Sequence, residues 1–447
     1  AQESRGLGDV YKRQDLYNAG SDKLDLPTAR KIVKEINTFL FTCPSNIGSV
    51  YELGQKFPYF SAFHKYWHLH HRDILNLQIS DEACEKVADE LHEVYVRTEG
   101  KAFAEIYDTN GLSADEICRV RLLTANQDFR GSRNFKELSE IYLSDPTIFD
   151  EKQIINSPAD FVKSIGITEL SQNDKRVRYA KQISQFLLEH NSAPYDIIKV
   201  FDNDVTRLRN ALIEFDGAGY GNKKTDMFIR DMVVLGVWNR VKGFDDIDVA
   251  SDVNTIKIAL RTGILTSEIP LISSFLDIFC YQYGYVDETN ALAWRRVWKI
   301  WTDKYPNEAI SSPCLLDYFI YNVVGKQFCK LSLCYFVCED GHSFYWHSAN
   351  NRTCQVCYKE TKKRKKAKML YKLLPCDVDE GYIAIDKTPF VQSKIANPNY
   401  HQCPFKRICE QYGDKNLMPP KSISIMGQTG WNSAYTTENS GGGGLMA

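Results

Sequence analysis

The stretch Gly219-Tyr220-Gly221-Asn222-Lys223-Lys224-Thr225-Asp226 interrupts a long helical pattern with two glycines and then resumes it with two lysines. Glycine adopts a positive φ without strain, so Gly217 and Gly219 predict a sharp backbone turn between two helices. Gly221 removes a side chain just before the second helix begins, near Asn222, where several unpaired N–H groups suit a phosphate oxygen. The sequence therefore predicts a helix, a glycine hairpin and a second helix, with an anion-binding surface at the hairpin.

A carboxylate follows this hairpin in the run Asp248-Val249-Ala250-Ser251-Asp252-Val253-Asn254. Together, the hairpin and Asp252 resemble the helix-hairpin-helix DNA glycosylase superfamily, whose core motif reads roughly Gly-Val-Gly-x-Lys-x-Ala-Asp and then Val-Asp-x-His. Asn254 stands where many members have His, and Thr225 stands where most have Ala. The resemblance covers residues 110–330 and implies a mainly α fold with a helix-hairpin-helix glycosylase core. Such a core would bind double-stranded DNA, flip a nucleotide and excise its base.

The resemblance also implies roles for individual residues. Lys223 occupies the position of the lysine that attacks the sugar C1′ in members with lyase activity, and the adjacent Lys224 is the alternative. Asp252 occupies the position of the essential carboxylate, which stabilises the positive charge that develops on the sugar ring. The hairpin glycines and Lys224 are expected to contact DNA. Asn126 and Gln127 fall where the family's first core helix lines the base pocket.

Which base is removed does not follow from these residues. Relatives include phage-defence glycosylases that excise glucosylated hydroxymethylcytosine from viral DNA, so one expectation is this base and an antiviral role. A base-excision repair glycosylase and lyase for oxidised guanine is the alternative. A different class of answer is a non-catalytic DNA-binding protein. Asp252 distinguishes the two classes, because passive binding needs no carboxylate there.

Helical periodicity dominates the chain up to about residue 330, where alternation with a period of two is almost absent. Individual helices are predicted at Ser113–Leu123, Ala159–Ile165, Val177–Leu188 and Val205–Phe215. Beyond residue 330 the cysteines crowd together, and Ser343–Trp346 reads as a short strand. The first three quarters of the chain are therefore predicted to be nearly all α.

These patterns divide the chain into five predicted parts. Its first residues, Ala1–Gln14, resemble translated sequencing-adapter read-through, so a non-native or disordered leader is expected there. The parts are the leader (1–20), an N-terminal helical domain (21–110), the glycosylase core (111–330), a cysteine-rich module (331–427) and a flexible tail (428–447).

Composition places the protein among ordinary globular chains. A chain of 447 residues is long enough for two or three domains with a sizeable core. Of these residues, 43% are hydrophobic and 25% are charged, as in typical globular proteins. No apolar run is long enough to span a bilayer and no secretory signal is present, so a cytoplasmic monomer without membrane contact is expected. The net charge is −2, yet residues 358–372 hold eight Lys or Arg against one acid. Within that run Lys362, Lys363 and Arg364 are predicted to contact DNA phosphates, the alternative being a solvated charged face.

Nine of the 13 cysteines lie beyond residue 313, which favours metal ligation in a reducing compartment over a disulfide scaffold. Cys338 and His342, followed by Cys354 and Cys357, supply four ligands with the spacing of a zinc ribbon. The glycine before His342 allows the tight turn of such a site. A Zn²⁺ centre is predicted here, with Cys334 as the alternative fourth ligand.

A second set of cysteines suggests another cofactor. Cys403 and Cys409, in the pattern Cys-Pro-x4-Cys, resemble the end of the [4Fe–4S] loop of endonuclease III-like glycosylases. Cys329 and Cys376 would have to complete that cluster, and Cys334 could replace Cys329. A second zinc site or buried free thiols are the alternatives.

A histidine-rich segment stands apart from these motifs. His64 and His68 are one helical turn apart, which would suit a metal, but no glutamate completes a known zinc-protease pattern. A surface or packing role is the preferred interpretation of this segment.

Overall fold

The fold is described from a computed structural model of the chain. The residues that it describes are 25–27, 29–30, 70–104, 108–128, 133–168, 172–268, 283–325, 333–346, 353–363, 365–376, 381–385, 391–393 and 403–412. The predicted leader and tail, the His64–His68 segment, Cys329 and Arg364 lie outside these residues.

The chain divides into two compact units. We call residues 88–252 with 291–323 the helical unit, and residues 1–87, 253–290 and 324–446 the mixed unit. The five predicted parts remain predictions. Within the described residues, no helix is long and apolar enough to cross a membrane.

The described part of the chain is mainly helical, as predicted. Its α-helices are α1 Asp81–Thr98, α2 Ala114–Thr124, α3 Phe135–Ser144, α4 Glu151–Asn156, α5 Pro158–Ser164, α6 Asn173–Glu189, α7 Ile197–Val200, α8 Val205–Glu214, α9 Asn222–Val234, α10 Val253–Thr262, α11 Tyr283–Lys304, α12 Leu316–Tyr318, α13 Gln355–Thr361 and α14 Lys406–Tyr412. Short 3-10 turns lie at Lys101–Phe103, Ala125–Gln127, Pro146–Phe149, Phe244–Asp246 and Pro313–Leu315, and a π-helix lies at Phe319–Gly325.

Helix starts in the helical unit follow capping chemistry. Ser113 caps α2 by accepting from the Glu116 N–H, and the Glu116 carboxylate accepts from the Ser113 N–H in return. Asn134 and Glu137 form the same reciprocal pair at α3. The four predicted helices are therefore confirmed as α2, α5, α6 and α8, each within a few residues of its predicted ends.

The core of the helical unit packs α2, α6, α8 and α9 together. On α9 the buried side chains include Phe228, Ile229 and Met232, with the spacing of one helix face. Phe228 packs edge-on against the Trp238 ring at 5.5 Å between centroids. Burial of each such side chain contributes roughly 1.5–3 kcal/mol, so this face of α9 holds the second hairpin helix in place.

Buried charges reinforce this packing. Asp231 of α9 is fully buried between Arg121 of α2 and Arg230, whose guanidinium lies 2.8 Å from the carboxylate. Arg230 also pairs with Asp317 of α12. Removing one member of such a pair leaves an uncompensated buried charge, so the network fixes α9 against two other helices.

The mixed unit contains the strands, which are β1 Gln78–Ile79, β2 Leu265–Thr266, β3 Leu333–Cys338, β4 Ser343–Trp346, β5 Ala367–Cys376, β6 Gly381–Ile385 and β7 Val391–Ser393. β1 and β2 form an antiparallel pair that the sequence did not predict. The other five form an antiparallel sheet in the order β4-β3-β5-β6-β7. The predicted strand at Ser343–Trp346 is confirmed as β4. The other four strands of this sheet were not predicted from the sequence.

Candidate active site and metal centre

The glycine turn between α8 and α9 has the backbone that the sequence predicts. Gly217 and Gly219 both have φ of 75°, whereas Gly221 is extended with φ of −104° and caps α9. Tyr220 points inward and donates to the Leu122 carbonyl of α2 at 2.6 Å, and burial raises its pKa. The turn is thereby fixed to α2, and Gly221 is left exposed with no atom near the position of a Cβ.

Two substitutions test which glycine the backbone of this turn requires for stability. In Gly219→Ala, the new Cβ would lie 2.5 Å from the Tyr179 ring at a positive φ, so we expect a loss of about 2–4 kcal/mol of unfolding free energy. Gly221→Ala meets no atom within 4 Å and should change stability by less than about 1 kcal/mol. Urea unfolding of both variants measures this difference. Equal losses in the two would contradict the assigned geometry.

Lys224 lies on the inner side of the turn and Lys223 on the outer side. The Lys224 Nζ donates to the Asn126 carbonyl at 2.6 Å and lies 5.3 Å from the centre of the Tyr179 ring. Burial lowers the pKa of Lys224 to about 8, and the nearby cations Arg176, Lys223 and Lys175 add to this, opposed by Asp128. Lys223 is exposed to solvent. The two adjacent lysines therefore have different chemistry, one a partly desolvated amine and the other a solvated cation.

The structure places Asn126 and Gln127 beside Lys224, in the 3-10 turn that follows α2. Both are buried, and the Asn126 amide donates to the Tyr179 and Ala218 carbonyls at 3.1 and 2.9 Å. The Gln127 side-chain amide donates to the Arg176 main-chain carbonyl at 3.1 Å. In return, the Gln127 main-chain carbonyl accepts from the Arg176 guanidinium at 3.0 Å. The side-chain oxygens of both amides lack a partner among the described residues, so they retain acceptor capacity.

Asp252 ends the first segment of the helical unit and directly precedes α10 in the chain. Its side chain is partly exposed. The loop that leads to it is held by Arg295, which pairs with Asp248 at 2.7 Å and donates to the Asp245 and Asp246 carbonyls at 3.0 and 2.6 Å. These bonds fix the loop that carries Asp252.

An ion pair connects α8 and α9, the two helices of the hairpin. Arg209 of α8 binds the Asp226 carboxylate of α9 at 2.5 and 3.1 Å. Burial raises the pKa of Asp226 to about 6, although the Arg209 guanidinium opposes that shift. The pair joins α8 to α9 and supports the packing of the hairpin.

Four side chains of the mixed unit converge as the zinc-ribbon spacing predicts. One ligand atom from each of Cys338, His342, Cys354 and Cys357 lies within 4.8 Å of the other three. The Cys338 and Cys357 sulfurs are 3.6 Å apart, and the His342 Nδ1 lies 3.6 and 3.3 Å from them. Tetrahedral zinc with these donors requires S···S near 3.8 Å and S···N near 3.6 Å, computed from roughly 2.3 Å Zn–S and 2.0–2.1 Å Zn–N bonds. The group could therefore hold a metal ion such as zinc.

Local backbone structure explains why these ligands meet. The Gly341 N–H bonds the Cys338 carbonyl at 3.0 Å and Gly341 has φ of 81°, which closes the predicted tight turn before His342. Cys354 caps α13 by accepting from the Cys357 N–H at 3.5 Å, so one sulfur both faces the metal position and begins the helix. The ligand cluster therefore depends on one turn and one helix start.

Charged neighbours surround the ligands. The Asp340 carboxylate lies 3.3 Å from the Cys357 sulfur and binds Lys365 at 2.6 Å. The Glu360 carboxylate lies 3.8 Å from the Nε2 of His342, the ring nitrogen opposite the cluster. Such outer groups orient ligands and tune the metal, and the sequence interpretation had not assigned either acid a role.

The other predicted cysteines do not form a described cluster. Cys403 is buried and Cys409 lies on α14, and neither belongs to a group of three or more ligating side chains within the described residues. Cys334 and Cys376 lie on β3 and β5, but their side chains, like the whole of Cys329, fall outside the description. The iron–sulfur hypothesis therefore stays a prediction.

Some residues around the candidate site had no signal in the sequence. Tyr179 and Arg176 of α6 contact Lys224 and the Ala125–Gln127 turn, but a tyrosine and an arginine in an amphipathic helix read as ordinary face residues. Their nearness to the hairpin depends on how α6 packs, and that packing is not encoded in any local motif.

The chain was compared with protein-family models and with curated proteins. No protein-family model matches the chain, and no curated protein matches it.

Proposed function

We propose that the protein is a DNA glycosylase that flips and excises a modified base and leaves an abasic site. The observation that carries the proposal is the hairpin, whose exposed Gly221 and Lys223 stand at the start of α9 beside the partly buried amine of Lys224. Helix N–H groups and a cation at that position suit a DNA phosphate. The resemblance of the following motif assigns Asp252 as the carboxylate that stabilises the sugar cation.

Lys224 is the stronger candidate for a nucleophilic amine, and Lys223 for a phosphate anchor. A lysine attacks only when it is neutral, and burial favours the neutral form of Lys224. The bond from Nζ to the Asn126 carbonyl uses a hydrogen of the amine, so the lone pair of the neutral amine stays available. Register with the family motif had favoured Lys223, which the structure leaves in solvent.

Asn126 and Gln127 support recognition of a polar base. Lys224 contacts the main chain of Asn126, and the side-chain oxygens of both amides are buried acceptors without a partner among the described residues, so they could accept from amino or imino groups of an extruded base. The family resemblance favours glucosylated hydroxymethylcytosine in phage DNA as the substrate, and oxidised guanine is the second candidate.

Release of a base from three DNAs tests the proposal. Unmodified, oxidised-guanine-containing and glucosylated phage DNA would each be incubated with the wild-type protein and with Asp252→Asn. We expect abasic sites in one modified DNA with the wild type, and background levels with the variant, whose DNA binding should stay near normal. Excision that survives in Asp252→Asn would sink the role of this carboxylate. If wild-type protein binds DNA but releases no base from any of the three, a non-catalytic DNA-binding protein becomes the better answer.

The two lysines make a second, pH-dependent prediction. If Lys224 attacks the sugar, borohydride trapping should rise about tenfold per pH unit and level off above about pH 8, because the amine loses its proton through its pKa of about 8. Lys224→Gln should abolish the trapped adduct, and Lys223→Gln should retain it with weaker DNA binding. The reverse pattern would restore Lys223 as the nucleophile. No adduct at all would indicate excision without lyase chemistry.

The metal of the Cys338, His342, Cys354 and Cys357 site is proposed to be Zn²⁺. Three thiolates and one imidazole in a closed tetrahedral arrangement are typical of structural zinc. The ion would neutralise the thiolates and hold β3 against α13, so its role here is in folding.

A further inference from the structure

The zinc-ligand cluster carries an exposed basic surface, for which the sequence predicted only phosphate contacts. Tyr358 directly follows the ligand Cys357 on α13, and 41% of its area is exposed to solvent. The Lys362 N–H bonds the Tyr358 carbonyl at 2.9 Å, so the lysine follows directly after α13, one helical turn beyond the tyrosine. An aromatic ring and a cation are therefore presented together.

More cations continue this surface. The Cys354 N–H bonds the Lys365 carbonyl at 2.9 Å, and a bridge pairs Thr353 with Lys366, which closes the chain after α13 back onto the metal ligands. Four lysines on this closed segment and at the start of β5 are exposed, and none has an ion pair among the described residues. They are Lys362, Lys363, Lys366 and Lys368.

Nearby acids do not outnumber the lysines. Asp340 is committed to Lys365 at 2.6 Å, Glu360 lies against His342 at 3.8 Å, and the exposed Glu339 acts electrostatically on Lys365. The surface therefore has a net positive charge with one flat aromatic ring in it. A polyanion would bind the lysines through its negative charges. An unpaired base would stack on the tyrosine ring, because each base has a face on which an aromatic side chain stacks.

We propose that this surface, Tyr358 with Lys362, Lys363, Lys366 and Lys368, binds single-stranded DNA, with a base stacked on Tyr358 and the lysines along the phosphates. In duplex DNA the base faces are already stacked on one another, so the ring gains nothing from a duplex. The lysines contact phosphates in either form. Binding here is independent of base excision, so it stands or falls separately from the glycosylase proposal.

Fluorescence anisotropy with the full-length, zinc-loaded protein tests this. The probes are a labelled oligothymidine of about 12 nucleotides, within the span of one small domain, and a duplex of the same length. Tyr358→Ala should weaken binding of the oligothymidine about tenfold and binding of the duplex less than twofold, and Tyr358→Phe should bind as the wild type does. Lys362→Ala with Lys363→Ala should weaken both probes and lower the salt slope for the oligothymidine by about 1.4.

Controls separate stacking from loss of the fold. Zinc content of each variant shows whether the metal centre is intact, and Tyr358→Leu keeps apolar bulk but removes the flat ring, so it should bind as weakly as Tyr358→Ala. Lys152→Ala with Lys163→Ala removes the same charge from exposed positions on α4 and α5 and should leave both probes unchanged. The proposal is overturned if Tyr358→Leu binds oligothymidine as tightly as the wild type, or if it weakens both probes equally.

Discussion

Replacing Cys354 with serine is expected to release the metal and unfold the segment around it, while the helical unit stays folded. Cys354 supplies one of four ligands and also caps α13, so its loss removes a metal bond and a helix start together. Binding of structural zinc contributes about 10–16 kcal/mol in small zinc-dependent domains. The described apolar cluster around the ligands consists of Phe336 and Ala367 with the three cysteines, so the ligands are themselves a large part of it.

Zinc content and amide exchange measure this effect. Zinc per chain should fall from one to none, and exchange protection should disappear from β3 and α13 but persist in α9. Cys118→Ser is the matched control, because Cys118 is a buried thiol of the helical unit that bonds the Pro194 carbonyl at 3.2 Å, as a serine could. If Cys354→Ser still holds one zinc tightly, the ligand set is wrong and Cys334 is the next candidate.

Asp231→Ala is expected to lower the free energy of unfolding by about 3–5 kcal/mol. Asp231 is 0% exposed and its carboxylate serves both Arg121 and Arg230. Without it, two guanidinium groups face each other in a region from which most water is excluded. Their attraction to the carboxylate is replaced by mutual repulsion, although Arg230 keeps its pair with Asp317.

Asp216→Ala provides the comparison for this prediction. Asp216 also pairs with an arginine in the helical unit, Arg178, at 2.7 Å, but its side chain is 94% exposed. Exposed pairs contribute roughly 0–1 kcal/mol, so this variant should remain close to the wild type. Urea unfolding of both variants measures the contrast. Similar losses would mean that the Asp231 cluster is reached by water and does not anchor α9.

The sequence predicted the parts of the fold whose physics is local. Positive-φ glycines, the Ser113–Glu116 cap and the Cys338-to-Cys357 ligand spacing depend on neighbours within a short stretch of chain, so residue types announce them. The distinction between Lys223 and Lys224 was not available in the same way. It depends on burial against Tyr179 and on a carbonyl of Asn126, both far away in sequence.

The long-range polar contacts were equally hidden from the sequence. Arg121 and Asp231 are 110 positions apart, and an isolated charge in an amphipathic pattern reads as a solvent-facing residue. The pairing of β5 with β6, and of β6 with β7, has the same cause, since register is set by partners and not by the strand alone. Activity and substrate remain proposals, because the residues that would decide them act only on a bound base.

The hydrogen bonds that hold the glycine turn differ in how far they depend on which residue occupies each position. Tyr220 and Lys224 each supply a side-chain donor, but the atoms that receive these bonds are main-chain carbonyls, of Leu122 and Asn126. The Leu122 acceptor is present whatever residue occupies that position. Asn126 differs, because its side-chain amide also donates to the Ala218 carbonyl inside the turn at 2.9 Å. Distant relatives of this chain should therefore share the tyrosine, the second lysine and this asparagine more often than the residue at position 122.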